Sequence, residues 1–317
     1  MASPRVIALD LGGTKLLSGI VDDDGVVERR VVSATDTSSE DALLAQVEGA
    51  VGDLMEDDIG AIGVGLPSMI DQRRGEAVDS VNVPLAGIPF RDRLRERFGV
   101  SAAIENDANA AALAEHRYGA GRGSRHMVML TLGTGVGGGL VLDGKLYRGA
   151  AGAAAELGHI TIELDGPPCQ GRCPGRGHLE VLASGTAADR YAREAAEGNP
   201  EGDLGLAAAE GKQVDARLAV ELAAEGPGDA RDVLAHVGHH LGVGIASLVN
   251  VFNPELVVIG GGFARAGDLL VEPARKVVSE TALAPARDEI RIVPALLGVE
   301  AGLIGAGLVG FEALQER

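Results

Sequence analysis

The apolar positions of this chain fall into runs of two alternating kinds. From Arg5, "RVIALDLGG" and "LLSGIV" read as apolar strands joined by a glycine turn, and after "DDDG" a more polar strand follows in "VVERRVV". "SSEDALLAQVEGAVGDLM" then spaces its apolar residues at helical intervals behind serine and acidic residues suited to capping. The alternation continues through a short strand "AIGVGLP", a basic helix "FRDRLRERFG", a strand "VSAAIEN" and a helix "DANAAALAEHRYG" that Asp107 or Asn109 can cap. Alanine-rich helical stretches run from about residue 179 to 250. A buried-type strand "LVVIGGG", a helix "DLLVEPARKVVSETAL", a strand "EIRIVPAL" and a closing helix "GLIGAGLVGFEALQ" complete the chain. Strands alternating with helices predict an α/β fold with mixed sheets.

One unit of this pattern occurs twice. "VIALDLGGTKLLSGIVDDDG" and "VMLTLGTGVGGGLVLDGKL" both read as an apolar strand, a Leu-Gly turn with threonine, a second strand and an Asp-Gly turn. Asp10, Leu11 and Gly12 align with Thr131, Leu132 and Gly133. A strand-turn-strand unit repeated in each half predicts two similar α/β domains facing one cleft.

Composition narrows the partners. The 317 residues suit about two domains, and 46% hydrophobic with 23% charged residues is an ordinary globular balance. A formal charge of −18 repels nucleic acid and anionic membrane, so a phosphate ligand needs a local site built from backbone. The opening "MASPRVIALD" has no signal-peptide character, and no run of about 18 apolar residues offers a membrane span. The expected location is cytoplasmic, where Cys169 and Cys173, the only cysteines, stay reduced.

Two glycine patterns fail on context. Gly133, Gly135 and Gly138 satisfy G-x-G-x-x-G, but a strand follows rather than the helix of a dinucleotide fold. Gly139, Gly144 and Lys145 approach a P-loop, but Leu146 stands where a hydroxyl must meet magnesium. What remains is a pair of turns, "DLGGTK" and "TLGTGVGGG", each presenting backbone N–H groups beside a threonine hydroxyl. Each reads either as an ordinary hairpin or as a phosphate cradle, and their pairing, with Asp10, favours a nucleotide.

Asp107, at a helix start, is either an N-cap or a carboxylate able to take a proton from a hydroxyl, and the two roles can be divided between neighbours. Glu156 and Glu180 could each accept from vicinal sugar hydroxyls. His159, Cys169, Cys173 and His178 supply four ligands of the types zinc prefers. His116, His126, His236, His239 and His240 read as structural.

"LDLGGTK", "IENDANAAALAE", "LTLGTGVGGG", "ELGH", the cysteine loop ending "GRGHLE", "ASGTA" and "NPELVVIGGG" stand in the order of the ROK family of sugar kinases and sugar-responsive repressors, which the chain resembles over nearly its whole length. The resemblance implies the two-domain actin-like, hexokinase-like ATPase fold. It implies a smaller domain of residues 1–117 with a C-terminal helix of about 301–317, and a larger one of 118–300 with a zinc loop at 159–180. It makes Asp107 the catalytic base and gives sugar contacts to Asn106, Glu156, His159, Glu180, Gly65 and Asn82. It assigns the nucleotide side to Asp10, with magnesium, to Gly12, Gly13, Thr14 and Lys15, to Gly133, Thr134 and Gly135, and to Gly261 and Gly262 near adenosine.

The family loop reads Cys-x-Cys-Gly-x-x-Gly-Cys-x-Glu. Here Gly171 holds the first cysteine position of that run, Pro174 the glycine and His178 the last cysteine, so Cys169, two residues earlier, is the expected replacement ligand. Ser68 stands where the family commonly has glycine. The first strand begins by Val6, which leaves no room for the repressors' helix-turn-helix. The expected function is therefore an ATP- and Mg²⁺-dependent hexose kinase with a structural Zn²⁺, glucose favoured, forming a dimer or tetramer by resemblance. N-acetylmannosamine, N-acetylglucosamine, fructose or allose as acceptor, polyphosphate or ADP as donor, and a non-catalytic sugar sensor are the alternatives.

Overall fold

The computed structural model describes residues 4–80, 83–171 and 173–315. The first elements are β1 (Arg5–Leu11), β2 (Lys15–Asp22), β3 (Val27–Ala34), α1 (Glu40–Leu54), β4 (Ile59–Leu66), β5 (Met69–Asp71), β6 (Glu76–Asp79), α2 (Phe90–Phe98), β7 (Ser101–Asn106) and α3 (Asp107–Tyr118). Next come β8 (Met127–Leu132), β9 (Val136–Leu142), β10 (Lys145–Leu146), α4 (Leu179–Ala183), α5 (Gly185–Gly198), α6 (Asp203–Ala209), α7 (Ala216–Glu225) and α8 (Asp229–Phe252). The chain ends with β11 (Leu256–Gly260), α9 (Asp268–Thr281), α10 (Ala286–Glu289), β12 (Arg291–Pro294) and α11 (Ala301–Gln315).

The repeat seen in the sequence is a repeat of topology. One sheet has the order β3-β2-β1-β4-β7 and the other β10-β9-β8-β11-β12. In the first, β1 pairs antiparallel with β2 and parallel with β4; in the second, β11 lies parallel to both β8 and β12. Glycine turns make the antiparallel hairpins cheap, whereas the parallel pairs need the crossover segments between them.

Two compact units result: Met1–Gly123 with Gly139–Ala155 and Leu296–Arg317, and Ser124–Gly138 with Glu156–Ala295. The division falls within β9, and residues 139–155 count with the first unit, where the sequence suggested one uninterrupted domain from 118 to 300.

In the first unit, strand alternation sends Ile7, Leu9 and Leu11 to one face, where they meet Leu43, Val47 and Val51 of α1 and Phe90 and Leu94 of α2. Val6, Ala8, Val21 and Ala61 point the other way and pack on Leu303 and Ala306 of α11. Ser39 caps α1 by accepting from the Ala42 N–H at 3.1 Å. In the second unit, β11 is buried along its length, and α8 sends Leu234, Val237, Leu241 and Ile245 into the interior. Among the described residues no helix is long and apolar enough to cross a membrane.

Candidate functional site

In the first unit the candidate residues gather at the C-terminal ends of three adjacent parallel strands. Asp10 on β1 pairs in register with Gly65 on β4, and Leu66 pairs with Asn106 on β7. A Cβ placed on Gly65 would lie 3.7 Å from both Asp10 Oδ1 and the Asp107 Cα, so the two aspartates flank this one backbone position. The strand ends of an open α/β sheet are where such folds bind ligands.

The helix start is divided between neighbours. Asn106 is the N-cap of α3: its Oδ1 accepts from the Asn109 N–H at 3.0 Å, and its Nδ2 donates to the Ser68 carbonyl at 3.3 Å. The cap is therefore neither Asp107 nor Asn109, because the extended backbone that a cap needs comes at the last residue of β7. Asp107 is the first helical residue, and its Oδ1 accepts from the Ala108 N–H at 2.8 Å.

Asp10 has no hydrogen bond or ion pair among the described residues, and burial pushes its carboxyl pKa up to about 6. Gly302, at the start of α11, backs onto it: a Cβ there would come 2.4 Å from Asp10 Oδ2, so only glycine lets the helix approach. A partly buried carboxylate with no partner among the described residues suits a bound cation. The neighbouring turn is tied by Gly12 N–H donating to the Lys15 carbonyl at 2.8 Å and Thr35 Oγ1 donating to the Gly12 carbonyl at 2.7 Å. Gly13 is half-buried at the tip, and Thr14 and Lys15 are exposed.

The second unit assembles three loops. The Gly133 carbonyl accepts from the Gly185 N–H at 2.8 Å, and the Thr134 carbonyl accepts from Thr186 Oγ1 at 2.8 Å, which docks the N-terminus of α5 on the turn. Ser184 caps that helix through the Ala187 N–H at 3.1 Å. Gly261, with φ +88°, sits against the backbone of Leu132, and Gly262 follows it. Helix N-terminal N–H groups beside a glycine turn favour phosphate oxygens. Gly185 and Thr186 were not singled out from the sequence, although "ASGTA" was part of the family pattern.

Glu180 of α4 accepts from the Val136 N–H at 3.0 Å. A Cβ on Gly135 would meet Glu180 Oε2 at 2.2 Å, so this phosphate candidate also makes room for the carboxylate. Glu156 precedes a 3₁₀ turn at Leu157–His159. Desolvation, with Glu180 nearby, outweighs the pull of His159 and raises its pKa.

His159, Cys169, Cys173 and His178 each offer one ligand atom, all within 4.8 Å of one another. His159 Nδ1 lies 3.3 Å from His178 Nδ1 and 3.5 Å from Cys169 Sγ, and Cys173 Sγ lies 3.6 Å from His178 Nδ1. A tetrahedral zinc with ordinary Zn–N and Zn–S lengths has N···N edges of about 3.3 Å and N···S edges of about 3.6 Å, so the donor set fits that ion. His178 is the N-cap residue of α4, two positions before Glu180. Asn82 lies outside the described residues.

Sequence reasoning missed a buried network beneath Asn106. Glu105, with 0% exposure, accepts from the Asn106 N–H, Asn109 Nδ2 and Arg148 Nε. The one available signal was an acid, Glu105, inside the apolar strand "SAAIEN".

The sequence pattern of the ROK family matches residues 6–310. The glucokinase of Thermotoga maritima is 36% identical over 312 residues, covering 98% of this chain and 98% of that protein. A crystal structure of a ROK family glucokinase from Streptomyces griseus in complex with glucose and AMPPNP superposes with a TM-score of 0.84 at 34% identity, covering 97% of this chain and 99% of that one. The ROK hexokinase from Thermus thermophilus gives 0.80 at 34% identity, with coverages of 99% and 100%. The fold is thus the actin-like, hexokinase-like ATPase fold.

Proposed function

The chain belongs to the ROK family, and on that footing we propose that it is an ATP-dependent hexose kinase that phosphorylates the 6-hydroxyl of glucose. The observation that carries this reading is the division of labour at α3: Asn106 caps the helix, so Asp107, whose backbone lies beside Gly65, need not serve as the cap.

In the proposed reaction Asp107 accepts the proton of the 6-hydroxyl as that oxygen attacks the γ-phosphorus and the bond to the ADP oxygen breaks. Asn106, Gly65, Glu156, Glu180 and the outer face of His159 hold the other hydroxyls, so the acceptor oxygen is positioned before chemistry. The Gly12–Thr14 and Gly133–Gly135 turns and the N-terminus of α5 cradle phosphate oxygens, with Gly261 and Gly262 toward the adenosine. Magnesium, held on the Asp10 side, supplies neutralisation of the phosphate charge.

A coupled ADP-release assay with Mg-ATP tests the reading on glucose, the two N-acetylhexosamines, fructose, mannose and allose. Glucose is expected to give the highest kcat/KM, and release of ADP with none of the sugars would end the kinase reading.

The same proposal assigns structural zinc to His159, Cys169, Cys173 and His178. With His159 Nδ1 on the ion, Nε2 is left for a sugar hydroxyl, so one ring serves both roles. Protein purified without chelator is expected to carry about one zinc per chain by elemental analysis, since four ligands form a closed structural site. Cys173→Ser should lose the metal, melt at lower temperature and raise the KM for glucose through Glu180, with the KM for ATP little changed. Metal content well below stoichiometric in the wild type would defeat this assignment.

A further inference from the structure

Glu105 is a buried acid that the proposed reaction leaves without a task. It immediately precedes Asn106 and Asp107 in the chain and is 0% exposed at the end of β7. Its Oε1 accepts from the Asn106 N–H at 2.9 Å and from Asn109 Nδ2 at 3.2 Å; its Oε2 accepts from Arg148 Nε at 2.5 Å and from Gln72 Nε2 at 3.4 Å. The second arm of Arg148, Nη2, donates to Glu312 Oε2 on α11 at 2.7 Å. One guanidinium, with 29% of its side chain exposed, therefore joins β7 to the closing helix.

Arg148 lies two residues beyond β10, in a stretch that stays with the first unit as far as Ala155. That stretch is held again at Ala150, whose carbonyl accepts from Arg73 Nη2 at 3.2 Å. Around Gly152 it runs so close to β5 that a Cβ there would come 2.5 Å from the Ile70 carbonyl. Its last residue, Ala155, takes a left-handed φ of 70°, unusual for a residue with a side chain, immediately before Glu156. The backbone is thus fixed tightly within the first unit, and the fixing group grips the end of β7, where Asn106 stands next to Glu105.

Charge neutralisation alone is a weak reason for this pair, because a buried ion pair can often be replaced by apolar groups of similar volume without loss of stability. We propose that Arg148 is a positioning residue for the sugar: by gripping Glu105 it holds the segment 147–155 against the end of β7, and so fixes Asn106 and the start of α3 at Asp107. This rests on the sugar-kinase reading for its consequence, though the latch itself stands on contacts within the first unit. Arg is required rather than Lys because the two carboxylates are reached by two separate N–H groups of one planar fork.

The test compares Arg148→Lys, Arg148→Met and the double variant Glu105→Gln/Arg148→Met. The single Arg148→Met leaves a buried carboxylate without its cation and is the variant that can fail to fold. The double variant removes both charges, and the amide oxygen that replaces the Glu105 carboxylate can still accept from the Asn106 N–H.

Kinetics and hydrogen exchange are read below each variant's melting temperature. The double variant is expected to raise the KM for glucose about tenfold with the KM for ATP within about twofold, the split expected when substrate positioning rather than folding is lost. Amide exchange over residues 147–157 should quicken about tenfold while the core strands keep their protection. Arg148→Lys should fall between wild type and the double variant. A double variant with wild-type KM for glucose overturns the proposal whether or not exchange changes, because Arg148 then serves only to balance charge. Wild-type protein that releases no ADP with any sugar defeats the kinase reading instead, and the exchange measurement still decides whether the latch exists.

Discussion

Asp107→Asn is expected to lower kcat by roughly 10²–10⁴-fold, the range for loss of a positioned base, while the KM for glucose and the melting temperature stay close to those of the wild type. Asparagine is the same size as aspartate, and its side-chain oxygen can keep the bond from the Ala108 N–H. The helix cap belongs to Asn106 and is untouched. Losing one negative charge at the first turn of α3 costs on the order of 0.5 kcal/mol, too little to unfold a domain. In the proposed reaction, what the substitution removes is the ability to take the hydroxyl proton. Asn106→Ala is the contrasting change: it removes the cap, at about 1 kcal/mol, and a sugar contact, but leaves the base. The coupled assay with thermal denaturation on both variants separates the roles, and near-normal turnover in Asp107→Asn would reduce Asp107 to a helix-start residue.

The duplicated strand-turn-strand unit was legible because two devices that depend only on nearby residues define it, apolar strands and glycine turns, and both sheets then repeat one strand order. The candidate loops were legible for the same reason: "DLGGTK" and "TLGTG" are local. The cap of α3 was harder. Asn106, Asp107 and Asn109 are all suitable residue types, and only where β7 ends selects Asn106. Burial of Glu105 was not legible, because its partner Arg148 lies 43 residues away and reaches it only through the return of residues 139–155 to the first unit. No shift in composition marks that return. The cysteine loop stands between these cases. Its four donors were legible as types, while their mutual distances depend on local contacts such as the Cys169 N–H donating to the Gly175 carbonyl at 2.9 Å, which no spacing rule supplies.

Asp10→Asn is expected to make the ligand-free protein more stable and the enzyme nearly inactive. The carboxyl of Asp10 titrates at about 6 in the folded chain against 3.8 for an ordinary aspartate, and burial is the cause. A raised pKa means that the folded state binds this proton more tightly than the unfolded chain does. The stability it contributes is therefore full below about 3.8 and is lost as the pH rises through about 6. At pH 7.5 the wild type carries the cost of a desolvated charge, roughly 1–3 kcal/mol after discounting for its partial exposure, and the neutral amide relieves it. Denaturant unfolding without nucleotide should show this gain, and it should shrink toward zero near pH 4. Activity should move the other way, falling about 100-fold or more at saturating glucose, because the amide cannot hold the magnesium that the proposed reaction places at this carboxylate. In the wild type the acid limb of kcat/KM for Mg-ATP should lie near pH 6 at low magnesium and move to lower pH as magnesium is raised, since metal and proton compete for one carboxylate. An acid limb indifferent to magnesium, or a variant less stable than the wild type at pH 7.5, would place the metal-binding charge elsewhere and leave Asp10 a packing residue under Gly302.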